Sequence, residues 1–218
     1  MKLVSFEIGG TPRFGYLHDR MVYDVAGSLI EFLGSEGAPC DEIRGRVVAS
    51  RGAAYPAASV RLLPPVPNPR KLLCIASNYL EHILECGEDR VHNFSRVTQQ
   101  LFLKPPSTTL RGPDQELALP WVSTSVDWEV ELAVVIGRRA RYIGVEDAKD
   151  YILGYTILND ISERDLNIKP KSEREERAWD PYFDWFGGKI MDGFAPMGPV
   201  IVTADEIPNP NNLHLSLR

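Results

Sequence analysis

The chain has 218 residues, 44% of them hydrophobic, with 24 basic against 30 acidic side chains, a net charge of -6 and a pI near 5.3. That is enough chain for one large domain, or a small one plus a medium one, each with its own core. Interspersed acids and bases with an acidic balance exclude a nucleic-acid surface, and no apolar run is long enough to span a membrane. Met1 to Ile8 has a short apolar run and an early Glu7, so it reads as a first strand rather than a signal peptide, and a cytoplasmic protein is expected. Cys40, Cys74 and Cys86 are odd in number and lack metal-ligand spacing, as expected of free thiols in a reducing compartment.

Taken in chain order, residues 1–63 predict a small N-terminal α+β domain. Strands at Lys2 to Ile8, Arg13 to Leu17 and Met21 to Val25 alternate with turns at Gly9-Gly10 and His18-Asp19, and short helices follow at Ser28 to Leu33 and Asp41 to Ala49. Residues 64–70 contain Pro64, Pro65, Pro67 and Pro69, which favour extended backbone and predict a stiff linker. Residues 71–218 predict a second, larger domain, with strands at Lys71 to Ala76, Leu101 to Lys104, Trp128 to Ile136, Tyr155 to Asn159 and Val200 to Thr203, and a short helix at Val145 to Tyr151. Lys169 to Arg177 mixes charges like a solvated loop or helix face, and Leu213, Leu215 and Leu217 alternate like a strand that has barely begun. The fold class is α+β, dominated by strands.

The chemistry concentrates around Asp127-Trp-Glu-Val-Glu-Leu-Ala-Val-Val-Ile-Gly137, whose period of two puts Glu129 and Glu131 on one face. Like charges side by side require a cation, a shared proton or solvent. Two glutamates on a wet strand face are the plain alternative, but that face turns apolar straight after Glu131. Trp128, on the opposite face, is expected in the core. A further strand ending at Asn159-Asp160 would add a third carboxylate if the two strands are neighbours. An all-oxygen set of this kind suits Mg²⁺, Mn²⁺ or Ca²⁺. Arg164, close behind Asp160, is equally placed to be its ion-pair partner.

His82 and Glu85 stand three apart, so on a helical turn they share a face and the carboxylate can orient the imidazole as a base. A surface histidine with a chance acidic neighbour satisfies the same pattern. Lys104, before Pro105-Pro106, has the form of an exposed residue at a strand end, and Lys189 that of a residue in a Gly-Gly-Lys turn.

The succession Asn78-Tyr79-x-x-His82-x-x-Glu85, Leu101-Phe-Leu-Lys104-Pro105, Asp127 to Gly137, Gly154-Tyr155-x-x-x-Asn159-Asp160-x-x-x-Arg164-Asp165 and Gly188-Lys189-x-x-Asp192-x-x-x-Pro196-x-Gly198-Pro199 resembles the fumarylacetoacetate hydrolase (FAH) family. The resemblance runs from about Asn68 onward and implies a mixed β-roll acting as the catalytic domain, behind the small N-terminal domain that many members carry. It implies Glu129, Glu131 and Asp160 as ligands of Mg²⁺ or Mn²⁺, sometimes Ca²⁺, and His82 with Glu85 as a catalytic dyad. Lys104, Lys189 and Arg164 become the cationic residues around the site, and Asn167 a substrate contact, where several members have glutamine. The implied activity is hydrolysis, decarboxylation, hydration or isomerisation of a small 2-oxo acid or acylpyruvate by a homodimer. Relatives also continue past the position of Arg218 into further strands and a Gly-Thr-Pro loop, so the catalytic domain is expected to be incomplete at its C-terminal side. A catalytically silent protein that still binds metal and oxo acid, and a structural partner that completes its sheet with another chain, are the alternatives.

Overall fold

In the computed structural model, which describes residues 1–85, 98–166 and 171–217, the chain builds a strand-rich α+β fold. Cys86 and Asn167 lie outside the described residues. The first strands, β1 (Lys2–Ile8), β2 (Thr11–His18) and β3 (Met21–Ala26), form an antiparallel meander. Ile8 faces Thr11 in the register, so Gly9 and Gly10 alone make the turn, both with positive φ (58° and 78°). Such a turn matches the twist of the strands it joins and favours residues without a Cβ. The next turn lies at Asp19-Arg20, one residue later than predicted, because His18 still pairs with Met21.

Helix α1 (Leu29–Leu33) starts where the Ser28 side chain accepts from the Glu31 N–H, and α2 (Cys40–Ala49) buries Ile43 and Val47, one turn apart. Strands β4 (Ala54–Pro56) and β5 (Arg61–Leu62) close this part against β3 and β1. Pro64 and Pro65 are buried, and the Pro65 carbonyl accepts from the Ser5 hydroxyl at 2.9 Å, so this proline-rich stretch packs on the sheet.

Beyond it come β6 (Leu73–Ile75), α3 (Leu80–Glu85), β7 (Leu101–Leu103), α4 (Pro106–Thr109), β8 (Leu110–Arg111), β9 (Val126–Asp127), β10 (Val130–Ile136), β11 (Ile152–Asn159), β12 (Ser162–Glu163), α5 (Asp180–Lys189) and β13 (Ala195–Thr203). Strands β6 and β7 pair with each other, as do β9 and β12. The large sheet runs β10-β11-β13-β1-β2-β3-β4, with β5 on β1 and β8 on β13. Among the described strands only β8 and β13 pair in parallel, which makes the sheet mixed. Because β13 pairs with β1, a single sheet passes through both ends of the sequence.

One core packs Leu3, Phe14, Leu153 and Ile201 of the sheet against Leu29, Ile43 and Val47 of the two helices. A second gathers Leu72, Leu110, Leu158, Ala195 and Met197, and a third Val4, Phe6 and Val22. Burial of such side chains stabilises by roughly 1.5–3 kcal/mol each.

Several expectations are corrected. Trp128 is 59% exposed rather than in the core: it falls in the break between β9 and β10, and β10 itself is the edge of the sheet. The stretch 145–151 is helical only as a 3-10 turn at Ala148–Tyr151. Lys189 closes α5 instead of lying in a turn. Leu213 to Leu217 pair with no described strand. Among the described residues, no helix is long and apolar enough to cross a membrane.

Candidate active site

The predicted neighbours do meet: β10 and β11 are antiparallel with Val130 opposite Asn159, and Glu129 N–H donates to the Asn159 side chain at 3.1 Å. Glu129, Glu131 and Asp160 converge so that one oxygen from each lies within 4.8 Å of the others. Asp160 is buried, and the two glutamates are half-buried.

Three cations face them. Lys189 Nζ bridges Glu129 Oε2 at 2.8 Å and Asp160 Oδ2 at 3.0 Å. Arg164 donates to Asp127 at 3.1 Å and lies 2.6 Å from Glu129 Oε1. Lys104 is fully buried, donates to the carbonyls of Ile161 (2.9 Å) and Phe194 (2.8 Å), and lies 2.6 Å from Asp160 Oδ1. An exposed Lys104 is therefore wrong: the ammonium is buried where two carbonyls and a carboxylate receive it. Burial pushes the Lys104 pKa down, although Asp160 opposes it.

Lys189 comes so close because α5 packs its end on β12. A Cβ on Gly188 would stand 2.3 Å from the Glu163 carbonyl oxygen, so only glycine permits this approach. Glu163 in turn accepts from Ser123, from Ser125 N–H and from Asp165 N–H, which ties the segment carrying Arg164 to the one leading into β9.

The carboxylates have different environments. Burial raises Glu129, but Lys189 and Arg164 outweigh it and hold the group below the usual range. Glu131 is pushed up to about 7, mainly by burial, with Asp160 and Glu129 adding to the shift and a hydrogen bond with Tyr79 opposing it. The Cys74 thiol is likewise pushed up to about 12 by burial beside Asp160.

The donor set suits a hard divalent cation. All three groups offer oxygen, and Glu129 Oε1 and Asp160 Oδ1 are buried without a hydrogen bond, although each has a cation at 2.6 Å. Those oxygens retain lone pairs for a further ion.

A cavity of about 680 Å³ opens above the carboxylates. Its wall includes His82, Arg164 and Lys189, together with Tyr79, Phe102, Trp179, Tyr182 and Trp185. His82 and Glu85 both lie on α3, but Glu85 is exposed and is not part of the wall, and neither is Lys104. Arg164 pairs with Asp127 and Glu129, whereas Asp160 is held by the two lysines. Tyr79, Asp127 and the α5 aromatics were not among the residues predicted for the site. Tyr79 stands within the Asn-Tyr-x-x-His motif, and the Trp179 to Phe186 run is visibly aromatic, which was the available signal.

The family model described as fumarylacetoacetate (FAA) hydrolase C-terminal matches residues 71–218, and one described as Rv2993c-like, N-terminal, matches residues 1–65. The chain belongs to the fumarylacetoacetate hydrolase family. Within it, a mitochondrial oxaloacetate tautomerase of Xenopus laevis is 36% identical over 160 residues, which are 73% of this chain and 45% of that protein. A Bos taurus counterpart is 34% identical over 88% of this chain and 55% of its own. The chain thus spans about half the length of these curated relatives. Among solved structures, the maleylpyruvate hydrolase of Sphingobium sp. SYK-6, in complex with manganese(II) and pyruvate, is 28% identical, with a TM-score of 0.69, covering 96% of this chain and 70% of that one. The fumarylacetoacetate hydrolase of Exiguobacterium antarcticum is 31% identical, with a TM-score of 0.68, over 94% and 67%.

Proposed function

We propose that the chain is a divalent-metal-dependent enzyme acting on a small 2-oxo acid or acylpyruvate. The observation that carries this reading is the convergence of Glu129, Glu131 and Asp160 at a cavity whose wall also holds His82, Arg164 and Lys189. The three carboxylates would hold Mg²⁺ or Mn²⁺, with Ca²⁺ as a further candidate. A bound ion supplies Lewis-acid stabilisation of negative charge growing on the 2-oxo oxygen.

The protein's own groups do the rest. Three carboxylates face Lys104, Lys189 and Arg164, the last of which is shared with Asp127. Adding two positive charges leaves room for two negative ones, a carboxylate and an enolate oxygen. Arg164 and Lys189 orient the substrate's carboxylate, and Lys104 holds Asp160 from behind. His82 takes or delivers the proton, oriented by Glu85 on the same helical face. Asn167 is the proposed additional substrate contact. Isomerisation, C–C hydrolysis, hydration and decarboxylation all develop the same enolate charge. Oxaloacetate, acted on by the tautomerase relatives, and acylpyruvates are the first compounds to assay. A homodimer belongs to the same proposal and is checked by the mass in solution.

The test is calorimetric titration of Mn²⁺ with and without oxalate, a chelating mimic of the 2-oxo acid. Oxalate should enhance binding, and the Glu129→Ala/Glu131→Ala variant should lose it. A folded protein that binds neither would refute the reading.

A further inference from the structure

A series of aromatic rings leads outward from the buried ammonium of Lys189. Phe102 lies under it, with Nζ 5.6 Å from the ring centroid, and Trp185 meets Phe102 edge-on at 5.2 Å. Tyr182 follows at 5.8 Å from Trp185, and Trp179 at 6.5 Å from Tyr182. Exposure rises along the series, from 5% at Phe102 to 48% at Tyr182 and 71% at Trp179. All four rings line the same cavity as the carboxylates.

We propose that Phe102, Trp185, Tyr182 and Trp179 form an apolar subsite for the distal group of the substrate, so that the preferred class is an acylpyruvate with an aryl or other flat apolar acyl group rather than a dicarboxylate. The inference rests on the 2-oxo acid reading above and adds to it the far end of the molecule. Charge placement supports it. Among the described residues of the wall, the basic side chains are Lys189, Arg164 and His82; the first two are engaged at Glu129, and His82 lies near the same carboxylate. Arg174 and Arg177, which precede α5, are paired with Asp184 and Asp180. A second carboxylate lying along the rings would therefore lose water without gaining a described cation, which costs free energy. An aryl group would stack or meet the rings edge-on.

The rings are also held in advance. Tyr182 packs parallel to Phe186 at 6.4 Å, and α5 carries Tyr182, Trp185 and Lys189 on one short rigid element. The inner rings, Phe102 and Trp185, are already packed against each other, so less side-chain freedom is lost there on binding.

The test uses the full chain loaded with Mn²⁺ and compares oxalate, acetylpyruvate, benzoylpyruvate and oxaloacetate by competition calorimetry. Benzoylpyruvate should bind about tenfold more tightly than acetylpyruvate or oxaloacetate. In the Trp179→Ala/Tyr182→Ala variant that advantage should vanish while oxalate affinity stays within about twofold of wild type. Equal binding of benzoylpyruvate and oxaloacetate by the wild type, or an equal loss of oxalate and benzoylpyruvate binding in the variant, would overturn the subsite and leave the metal site standing. Failure of the folded wild type to bind oxalate would overturn both readings.

Discussion

Glu129 and Asp160 are joined twice: the Asp160 N–H donates to the Glu129 carbonyl at 2.8 Å, and Lys189 bridges their carboxylates. The backbone bond sets the spacing of the two acids, and the lysine makes that spacing tolerable without a metal.

Replacing Lys189 with methionine leaves the Glu129 end of the bridge to Arg164 and the Asp160 end to Lys104. Removing one partner from a buried pair costs about 3–5 kcal/mol. Chemical unfolding of metal-free Lys189→Met should show a loss of that order, and added Mn²⁺ should restore more stability than it adds to the wild type.

Lys104→Met should be structural in its effects. The ammonium is wholly buried and absent from the cavity wall, and its loss orphans two carbonyls. A stability loss of about 3 kcal/mol is expected. Activity per folded molecule should fall less than in Lys189→Met, with KM within about threefold of wild type.

The raised pKa of Glu131 makes both stability and metal binding depend on pH. Its folded value, about 7, lies above the ordinary 4.5, so its favourable contribution is full below 4.5 and is lost as pH rises through 7. Metal-free protein should therefore lose stability from this group between pH 5 and pH 8, whereas a divalent ion requires the ionised carboxylate. Affinity for Mn²⁺ should rise over the same interval with release of about one proton per ion, measurable by calorimetry in buffers of different ionisation enthalpy.

Gly188→Ala would force α5 off β12, since the new methyl would meet the Glu163 backbone. A cost of about 1–3 kcal/mol is expected. The displaced Lys189 should reduce turnover more than Mn²⁺ affinity, which separates this variant from one that simply unfolds.

Much of the site was legible because alternation and a strand end carry position directly. Glu129 and Glu131, two residues apart, do converge with Asp160, and β10 does lie against β11. Burial of single polar residues was not legible. A lysine beside two prolines reads as exposed, and only the carbonyls of Ile161 and Phe194, distant in sequence, explain why Lys104 is buried. Trp128 failed for the converse reason: the alternation that puts it on an apolar stripe does not continue through it, because it falls between β9 and β10, where it is 59% exposed. The ring series was visible as composition but not as a path, because Phe102 and Trp185 meet only through the tertiary fold.

The pairing of Lys2 with Val202 has a consequence for how the molecule forms. On a ribosome the first meander can assemble early, yet the Lys2–Leu3 edge of β1 must wait until β13 has been made. The same late strand completes the support of β11, which ends beside Asp160. Contacts of such high sequence separation slow folding. The Lys2–Leu3 edge of β1 therefore stays open while the roughly two hundred residues between it and β13 are made, and the strand that ends beside Asp160 gains its second neighbour only then.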